Sequence, residues 1–179
     1  MPVTGCAVKI AICGEWGVGK TSLAKVFTGG SFTELEKRTV GVGHYAKTVE
    51  VSGKLVRMVV WDLSGEERFK FLAPVFLRGS RGVLFVYDVT SRDSFAKLAE
   101  WLEVVLRVVG DVPRVLVGNK VDLANYREVE ASEARELAEK ASFAAYFETS
   151  AKTGFNVEKP FLALAEAAVK LAALPISRI

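Results

Sequence analysis

Eight consecutive residues near the N-terminus have the types and the spacing needed to hold a phosphate chain. They fit the pattern G-x-x-x-x-G-K-[ST] and are Gly14, Glu15, Trp16, Gly17, Val18, Gly19, Lys20 and Thr21. Glycines let the backbone wrap around a phosphate and direct successive N–H groups toward it, and a following helix adds the positive end of its dipole. Lys20 can reach the β- and γ-phosphate oxygens, and the Thr21 hydroxyl can ligate Mg²⁺. The segment predicts a phosphate-binding loop, in which we include Ser22 as the next residue.

A second group of polar residues has the spacing expected for recognition of a guanine base. Asn119, Lys120 and Asp122 form N-K-x-D directly after an apolar run. The Asp122 carboxylate can accept from the guanine N1–H and exocyclic amine, and such polar matching can reject a base without both donors by roughly 10⁴-fold. The tripeptide Ser150-Ala151-Lys152 follows the next apolar run, so its backbone N–H groups can meet the guanine carbonyl while the stems of Lys120 and Lys152 flank the ring. Together the two motifs predict a guanine site.

A third group has the chemistry to detect a metal ion and a terminal phosphate. Asp62 ends an apolar run and can hold Mg²⁺ through water, and the Gly65 N–H can approach a γ-phosphate because no Cβ intervenes. Thr39 lies in the polar stretch from Lys37 to Gly43, which is suited to ordering only when Mg²⁺ and γ-phosphate are present. A lone threonine in a loop means little, but together these motifs predict a Mg²⁺ site made by Thr21, Thr39 and Asp62.

The residues of these three groups are predicted to be positioned by strands that alternate with helices. Apolar and β-rich runs predict strands at 8–13, 47–51, 54–61, 82–87, 113–117 and 144–147. A first helix is predicted to begin near Lys20. Further helical patterns cover 66–77 (interrupted by Pro74), 91–109 (capped by Ser91), 131–140 and 157–174 (capped by Asn156). The alternation predicts an α/β three-layer sandwich with a mostly parallel six-stranded sheet and one antiparallel edge hairpin, in which ligands bind beyond the carboxyl ends of the strands. We expect a single domain over residues 1–179.

Composition and charge exclude several classes of protein. With 50% hydrophobic and 25% charged residues, the chain is globular rather than disordered or membrane-embedded. The net charge of +3 comes from scattered lysines and arginines, which argues against a nucleic-acid-binding face. Cys6 and Cys13 are predicted to be buried thiols in a reducing compartment, the cytoplasm. Neither Met1–Thr4 nor residues 175–179 carry a signal for secretion or lipidation, so we expect a soluble monomer without a lipid anchor.

The amide side chains are unusually few. The sequence has no glutamine and only three asparagines, Asn119, Asn125 and Asn156. Depletion of thermolabile amides is reported for proteins of hot environments. We therefore expect a thermophilic source and a melting temperature above about 65 °C, the upper end of the mesophile range.

In this order, the motifs resemble the small GTPases of the Ras superfamily, and the Rab branch most closely. The similarity runs from about Val8 to Leu174 and includes 61–69 (WDLSGEERF), 76–80 (FLRGS) and 85–90 (FVYDVT). The resemblance implies a P-loop NTPase fold and a GTP/GDP switch. It places Thr39 in a first switch and residues 66–77 in a second, where effector, exchange-factor and activating proteins bind. It also implies that Phe32 packs edge-on against the guanine, although a loop anchor remains the alternative.

The chain departs from the family pattern at the residues expected to act in catalysis. The resemblance assigns Lys20, Gly65 and residue 66 to this role, but Glu66 replaces the glutamine that orients the attacking water. A carboxylate cannot donate to that water yet can accept its proton, so the direction of its effect on the rate stays open. Depletion of glutamine at high temperature explains the replacement equally well.

Two further departures concern access to the site. Trp16 replaces a small residue, and its ring is expected to hinder an arginine supplied in trans and to crowd the γ-phosphate, so that Trp16→Gly raises hydrolysis. The alternative is an exposed lid without effect. Gly43 and His44 replace an Asp-Phe pair of the Rab effector surface, which argues against Rab-type partners; His44 is expected at the surface or in the hairpin.

Two functions remain at this point. The first is a switch that hydrolyses GTP slowly with Mg²⁺, and the second is a hydrolysis-deficient GTP-binding adaptor that signals by nucleotide occupancy. A nucleotide kinase is disfavoured, because N-K-x-D implies guanine recognition and no separate acceptor-binding lid is evident.

Overall fold

The computed structural model describes residues 6–173. The strands are β1 (Cys6–Cys13), β2 (Val42–Val51), β3 (Lys54–Leu63), β4 (Gly82–Asp88), β5 (Arg114–Asn119) and β6 (Ala145–Thr149). The α-helices are α1 (Lys20–Phe27), α2 (Ala73–Leu77), α3 (Arg92–Ala96), α4 (Leu98–Val109), α5 (Ala131–Lys140) and α6 (Glu158–Ala173). Two 3₁₀ helices cover Glu67–Leu72 and Val121–Tyr126. Within this part of the chain, no helix combines the length and hydrophobicity needed to cross a bilayer.

The six strands form one sheet in the order β2-β3-β1-β4-β5-β6. The β2–β3 pair is antiparallel and all other neighbours are parallel. This topology confirms the predicted mostly parallel sheet with one antiparallel hairpin at its edge. Parallel strands that share one sheet present their carboxyl ends at a common edge, where α/β folds bind ligands.

The core forms because helices cover both faces of the sheet. Every residue of β4 is buried, as expected for a strand with no face toward water. Its side chains alternate between two hydrophobic clusters: Val86 belongs to the cluster of Phe161, and Tyr87 belongs to that of Trp101. Helices α1 and α6 supply the first cluster, and helices α2 to α5 pack against the second. The three layers predicted from the sequence are therefore present.

Several element boundaries differ from prediction for local reasons. Strand β2 begins at Val42 rather than at 47, because its first residues pair with the end of β3, up to Leu63. The predicted helix over 91–109 is capped by Ser91, whose hydroxyl accepts from the Ser94 N–H at 3.2 Å, but it divides into α3 and α4 at Lys97.

The second switch segment and the last helix also differ in detail. Residues 66–77 contain a 3₁₀ helix followed by α2, with Pro74 in the first turn of α2, where proline is tolerated. Helix α6 begins at Glu158, so Asn156 (φ 60°) lies one residue before the capping position rather than at it. The predicted helix end at Leu174 lies outside the described residues.

The two cysteines have different environments. Cys13 is a buried free thiol, as predicted, and burial raises its pKa to about 12. The prediction is wrong for Cys6, which is exposed. Cys6 and Ala7 are both exposed because they lie at the beginning of β1, whereas the last four residues of the strand, 10–13, are all buried. The segments Met1–Thr4 and 175–179, on which the predictions about targeting rest, lie outside the described residues.

Candidate nucleotide-binding site

The phosphate loop connects β1 to α1, and its glycines are required by its path. Gly17 and Gly19 have φ values of 80° and 96°, in the region that favours glycine. A Cβ on Gly19 would lie 2.4 Å from the Asn119 amide nitrogen, and one on Gly14 would lie 2.2 Å from the Val86 carbonyl oxygen. The loop is therefore held against two neighbouring strands at distances that only glycine allows.

Lys20 lies at the start of α1, and its ammonium returns over the loop. Its Nζ donates to the Glu15 carbonyl at 2.8 Å, and the side chain is almost completely buried. Burial lowers the pKa of Lys20, while the charge of Asp62 acts in the opposite direction. This arrangement places one positive charge at the centre of the predicted phosphate site.

Thr21, Thr39 and Asp62 meet beside this lysine. The Thr21 hydroxyl donates to Asp62 Oδ2 at 2.5 Å and lies 2.8 Å from Thr39 Oγ1, which is 3.4 Å from the same carboxylate oxygen. Asp62 is completely buried, and burial raises its pKa, opposed by the charge of Lys20 and by both hydroxyls. Three residues separated by 41 positions in sequence are thus gathered at one point.

The chemistry of this cluster fits Mg²⁺. It offers two hydroxyls and one carboxylate, and Mg²⁺ prefers hard oxygen ligands, usually one or two carboxylates completed by phosphates and waters. The second oxygen of Asp62, Oδ1, is buried without a hydrogen-bond partner among the described residues. In the same range, no three His, Cys, Asp or Glu side chains are grouped to bind a metal by themselves. The residues fit a Mg²⁺ ion whose ligands come partly from these side chains and partly from the phosphates of a nucleotide.

Asn119 ties the phosphate loop to the two strands beside it. Its Nδ2 donates to the Val18 carbonyl at 2.9 Å, and its Oδ1 accepts from the Thr149 hydroxyl at 3.0 Å and the Ala151 N–H at 3.3 Å. The side chain is buried, so these bonds are shielded from water. Asn119 therefore acts as a structural junction between the predicted phosphate and base sites.

The other residues of N-K-x-D lie at the surface of the same region. Asp122 is exposed, and its Oδ1 accepts from the Ser150 hydroxyl at 2.6 Å. Lys120 has a left-handed backbone (φ 71°), and its Nζ donates to the Gly17 carbonyl at 2.6 Å and pairs with Asp88 at 2.7 Å. The loop residues predicted to contact guanine are thus fixed by other parts of the protein.

One cavity of about 430 Å³ joins these three groups. The predicted site residues that line it are Trp16, Gly17, Gly19, Lys20, Thr21, Ser22, Phe32, Thr39, Gly65, Asn119, Lys120, Asp122, Ala151 and Lys152. Its volume falls within the range of about 300–1,000 Å³ that is usual for small-molecule sites. Phe32 is half-buried, packs against the core and also lines the cavity, so its position suits both a loop anchor and a base contact.

The remaining predicted site residues do not line the cavity: they are Gly14, Glu15, Val18, Asp62, Glu66 and Ser150. The Val18 side chain belongs to the core. The Glu15 carboxylate turns away, accepts from the Trp101 indole N–H at 3.1 Å and pairs with Lys70 at 2.8 Å. Contacts between a nucleotide and the backbone of these residues remain a prediction.

Gly65 and Glu66 occupy different environments. A Cβ on Gly65 would lie 2.4 Å from the Trp16 nitrogen, so this glycine packs directly on the phosphate loop. The Glu66 side chain is only 12% exposed and pairs through Oε2 with Arg68 at 2.9 Å. Its other oxygen, Oε1, is buried without a hydrogen-bond partner among the described residues. The carboxylate is held near the surface of the second switch rather than in the wall of the cavity.

Sequence reasoning missed several residues around the cavity. Two ion pairs hold the loop directly before the first switch: Glu34 pairs with Lys152 at 2.9 Å, and Glu36 pairs with Lys25 at 2.6 Å. The residues of the lining that were not predicted to bind nucleotide are Thr33, Glu34, Glu36, Lys37, Arg38, Ser64 and Leu123. The ion pairs join partners as far as 118 residues apart, and no spacing rule in a single sequence identifies such partners.

Trp16 and Arg38 form a contact that the sequence did not predict. The Trp16 side chain is 56% exposed, and the Arg38 guanidinium lies over its ring at 4.8 Å from the centroid. Both side chains line the cavity. Such a cation–π contact is worth about 0.5–1 kcal/mol at an exposed site.

Comparisons with known proteins agree with this fold. The sequence model described as "Ras family" matches residues 9–170. The chain is 37% identical over 172 residues to the Ras-related protein Rab-12 of Homo sapiens, covering 96% of this chain and 70% of that protein. It is 44% identical over 158 residues to human Ras-related protein Rab-30, covering 88% and 77%. It is 40% identical over 157 residues to the GTP-binding protein ypt1 of Schizosaccharomyces pombe, covering 87% and 77%.

Proposed function

This chain belongs to the Ras family, and on that premise we propose that it is a molecular switch that binds GTP or GDP with Mg²⁺ and hydrolyses GTP slowly. The observation that carries the proposal is the meeting of three groups around one cavity. A glycine loop with a buried lysine, a threonine–threonine–aspartate cluster and the N-K-x-D loop all contribute to it. Phosphates, metal and guanine base each have a chemically matched region.

The base end selects guanine. Asp122 presents a carboxylate that accepts from the two donors on guanine, and Ser150 holds that carboxylate in place. The stems of Lys120 and Lys152 flank the ring, and Phe32 meets its edge. Because adenine lacks this donor pair, the site rejects it.

The phosphate end carries the chemistry. A water oxygen forms a bond to the γ-phosphorus while the bond from that phosphorus to the β,γ-bridging oxygen breaks, which yields GDP and phosphate. Lys20 and the Gly65 N–H stabilise the charge on the phosphate oxygens. Thr21, Thr39 and Asp62 would hold Mg²⁺, and the ion would supply charge neutralisation at the phosphates.

Hydrolysis without an activating protein is slow because the water is poorly positioned. Glu66 stands where a glutamine would hold the water, and its carboxylate pairs with Arg68 instead. A carboxylate near a polyanion adds repulsion, although it can also accept a proton. Because these effects oppose each other, we expect the rate of GTP hydrolysis to depend on which residue occupies position 66.

A second function, the hydrolysis-deficient adaptor, is favoured by the same observation. If the Glu66–Arg68 pair persists with GTP bound, no side chain orients a water molecule. The protein would then signal by nucleotide occupancy alone. In both cases the partners are effector, exchange-factor or activating proteins that bind the first switch, from Lys37 to Gly43, and the second, residues 66–77.

The surface near these switches differs from the Rab effector surface, so we expect it to bind protein partners other than those of the Rab type. His44 is exposed on β2 and contacts Trp61 edge-on at 4.4 Å, while Phe71 and Val75 are mostly exposed on the second switch. We further propose that the chain acts as a single-domain monomer in the cytoplasm and does not bind nucleic acid.

Single-turnover hydrolysis of preloaded GTP tests the proposal. The wild type is compared with Glu66→Gln at about 25 °C and about 70 °C, on either side of the mesophile melting range. We expect slow release of phosphate and a rate that changes with residue 66. Glu67→Gln is the matched control, because the Glu67 side chain is 81% exposed, and its rate should equal the wild type. GTP that stays intact for many hours in every protein would instead identify the adaptor.

A further inference from the structure

The Arg38–Trp16 pair lies at the phosphate end of the cavity. Arg38 directly precedes Thr39, whose hydroxyl is 2.8 Å from that of Thr21 in the metal cluster. The backbone of Trp16 packs against Gly65, the glycine proposed to contact the γ-phosphate. Both members of the pair are therefore connected to residues that surround the terminal phosphate, while the base end is formed by other loops.

The guanidinium of Arg38 is oriented but has donors to spare. The guanidinium lies 4.8 Å from the centroid of the Trp16 ring, and this contact does not use the five N–H donors of the group. Within residues 6–173 it makes no hydrogen bond or ion pair. Arg68 and Arg127, by contrast, are both paired with carboxylates. Among the described residues that line the cavity, Arg38 is the one arginine.

The same geometry restricts a positive charge arriving from outside. The Trp16 ring projects from the phosphate loop with 56% of its surface exposed and lines the cavity, so it narrows the approach of a side chain from outside. Lys20 makes one hydrogen bond within the loop and keeps donors for the phosphates. Arg38 lines the same cavity and is placed to add positive charge to that of Lys20 as the transition state forms.

We propose that Arg38 is a catalytic residue that acts in cis: its N–H groups donate to the β,γ-bridging oxygen and a γ-phosphate oxygen as hydrolysis proceeds, and Trp16 is the positioning residue that holds it. This inference rests on the proposed function. As the bond from the γ-phosphorus to the β,γ-bridging oxygen breaks, negative charge increases on that oxygen. A guanidinium beside it lowers the energy of this state more than that of bound GTP.

Three variants test the role of Arg38: Arg38→Ala, Arg38→Lys and, as the matched control, Arg107→Ala, which removes an exposed arginine from α4. Each is measured for GTP and GDP affinity, for single-turnover hydrolysis, and for binding of GDP with aluminium fluoride, a mimic of the transferring phosphoryl group. We expect Arg38→Ala to lower the rate by about 100-fold or more and to abolish binding of the mimic. The GTP dissociation constant should change by less than about threefold, because the interaction forms in the transition state.

Arg38→Lys separates catalysis from simple ordering of the loop. Lysine keeps the charge and the cation–π contact but loses the planar fork, so we expect it to recover less than about a tenth of the wild-type rate. Full activity in Arg38→Lys, or an unchanged rate in Arg38→Ala, would overturn the proposal. So would a loss of GTP affinity that accounts for the whole loss of rate.

Trp16→Gly tests the positioning role in both backgrounds. If Trp16 acts through Arg38, its removal lowers the intrinsic rate of the wild type and has no further effect in Arg38→Ala. This sign is the reverse of the one expected from crowding alone. Independent, additive effects would overturn the positioning role. Failure of the proposed function would look different, because the wild type itself would then leave bound GTP intact or fail to bind it.

Discussion

The two ends of the cavity differ in how completely the protein satisfies their polar groups. At the base end, Asn119 makes hydrogen bonds on both sides of its amide, Asp122 is held by Ser150, and Lys120 is held by Gly17. At the phosphate end, three carboxylate oxygens are buried without partners in the described part of the chain: Asp62 Oδ1, Glu36 Oε2 and Glu66 Oε1.

This difference indicates that the two ends of the cavity have different roles. A buried polar group without a partner costs about 1–3 kcal/mol, and more when charged, so these carboxylates at the phosphate end favour a cation or a hydrogen-bond donor that completes them. The base end already has its bonds, so under the proposed function we expect it to change little when a nucleotide binds. We therefore expect the fold to set the affinity for the nucleoside and the two switches to carry the response to the γ-phosphate.

The largest effect is expected from the base end. Asp122→Ala should weaken GDP and GTP binding equally, by about 10³-fold, since two hydrogen bonds to a charged acceptor are worth roughly 1.5–3 kcal/mol each. It should also remove the preference for GDP over inosine diphosphate, which lacks the exocyclic amine. Equilibrium titration with a fluorescent nucleotide measures both quantities.

The control for this experiment is Asp93→Ala, which removes an aspartate that is 75% exposed on α3. It should leave both dissociation constants unchanged. An Asp122→Ala protein that loses GTP but keeps GDP would contradict the division between the two ends.

A smaller and selective effect is expected at the phosphate end. Thr39→Ala should weaken GTP binding by about tenfold and GDP binding by less than about twofold, because its hydroxyl meets Mg²⁺ and the γ-phosphate only in the GTP state. Thr33→Ala, in the loop before the first switch and also in the cavity lining, is the matched control. Calorimetry with each nucleotide decides the point: equal losses for GDP and GTP would place Thr39 outside the γ-phosphate response.

The smallest effect concerns the support behind the base end. Burial alone would raise the pKa of Glu148, but hydrogen bonds from Arg127 and Tyr146 lower it. Its contribution to stability is therefore present above the unfolded pKa of about 4.3 and is lost as pH falls through the folded value. Glu148→Gln should lower the free energy of unfolding by about 1 kcal/mol at neutral pH, since water partly screens the pair.

Urea denaturation of both proteins as a function of pH checks this sign. The difference between wild type and Glu148→Gln should shrink as pH falls below the unfolded pKa of about 4.3 and the wild-type carboxylate becomes protonated. A difference that stays constant with pH would mean that the glutamate acts through packing rather than through its charge.

Much of the fold and site follows from local sequence patterns. Alternation of apolar runs with helical periodicity predicts β4 and the parallel sheet, and Ala131–Lys140 is predicted to the residue. The phosphate loop and N-K-x-D carry their own geometry, because their glycines and polar groups act within a few residues of one another. Such features can be predicted because the interactions that determine them are local.

The features that escaped prediction depend on contacts between distant residues. Strand β2 starts at Val42 because β3 continues to Leu63, and periodicity alone gives no reason to break a helix at Lys97. The Glu15 carboxylate leaves the phosphate site for Trp101, which is 86 residues away. The stacking of Arg38 on Trp16 likewise requires both loops to be in place.

Hydrogen exchange of the protein loaded with GDP or with a non-hydrolysable GTP analogue, both with Mg²⁺, tests the central claim most directly. The account predicts that the γ-phosphate increases protection at least about tenfold between Lys37 and Gly43 and over residues 66–77, because both segments order around it. The loops that hold Asp122 and Ser150 should exchange equally in the two states. Identical protection throughout, or a change confined to the base loops, would contradict a switch driven by the γ-phosphate.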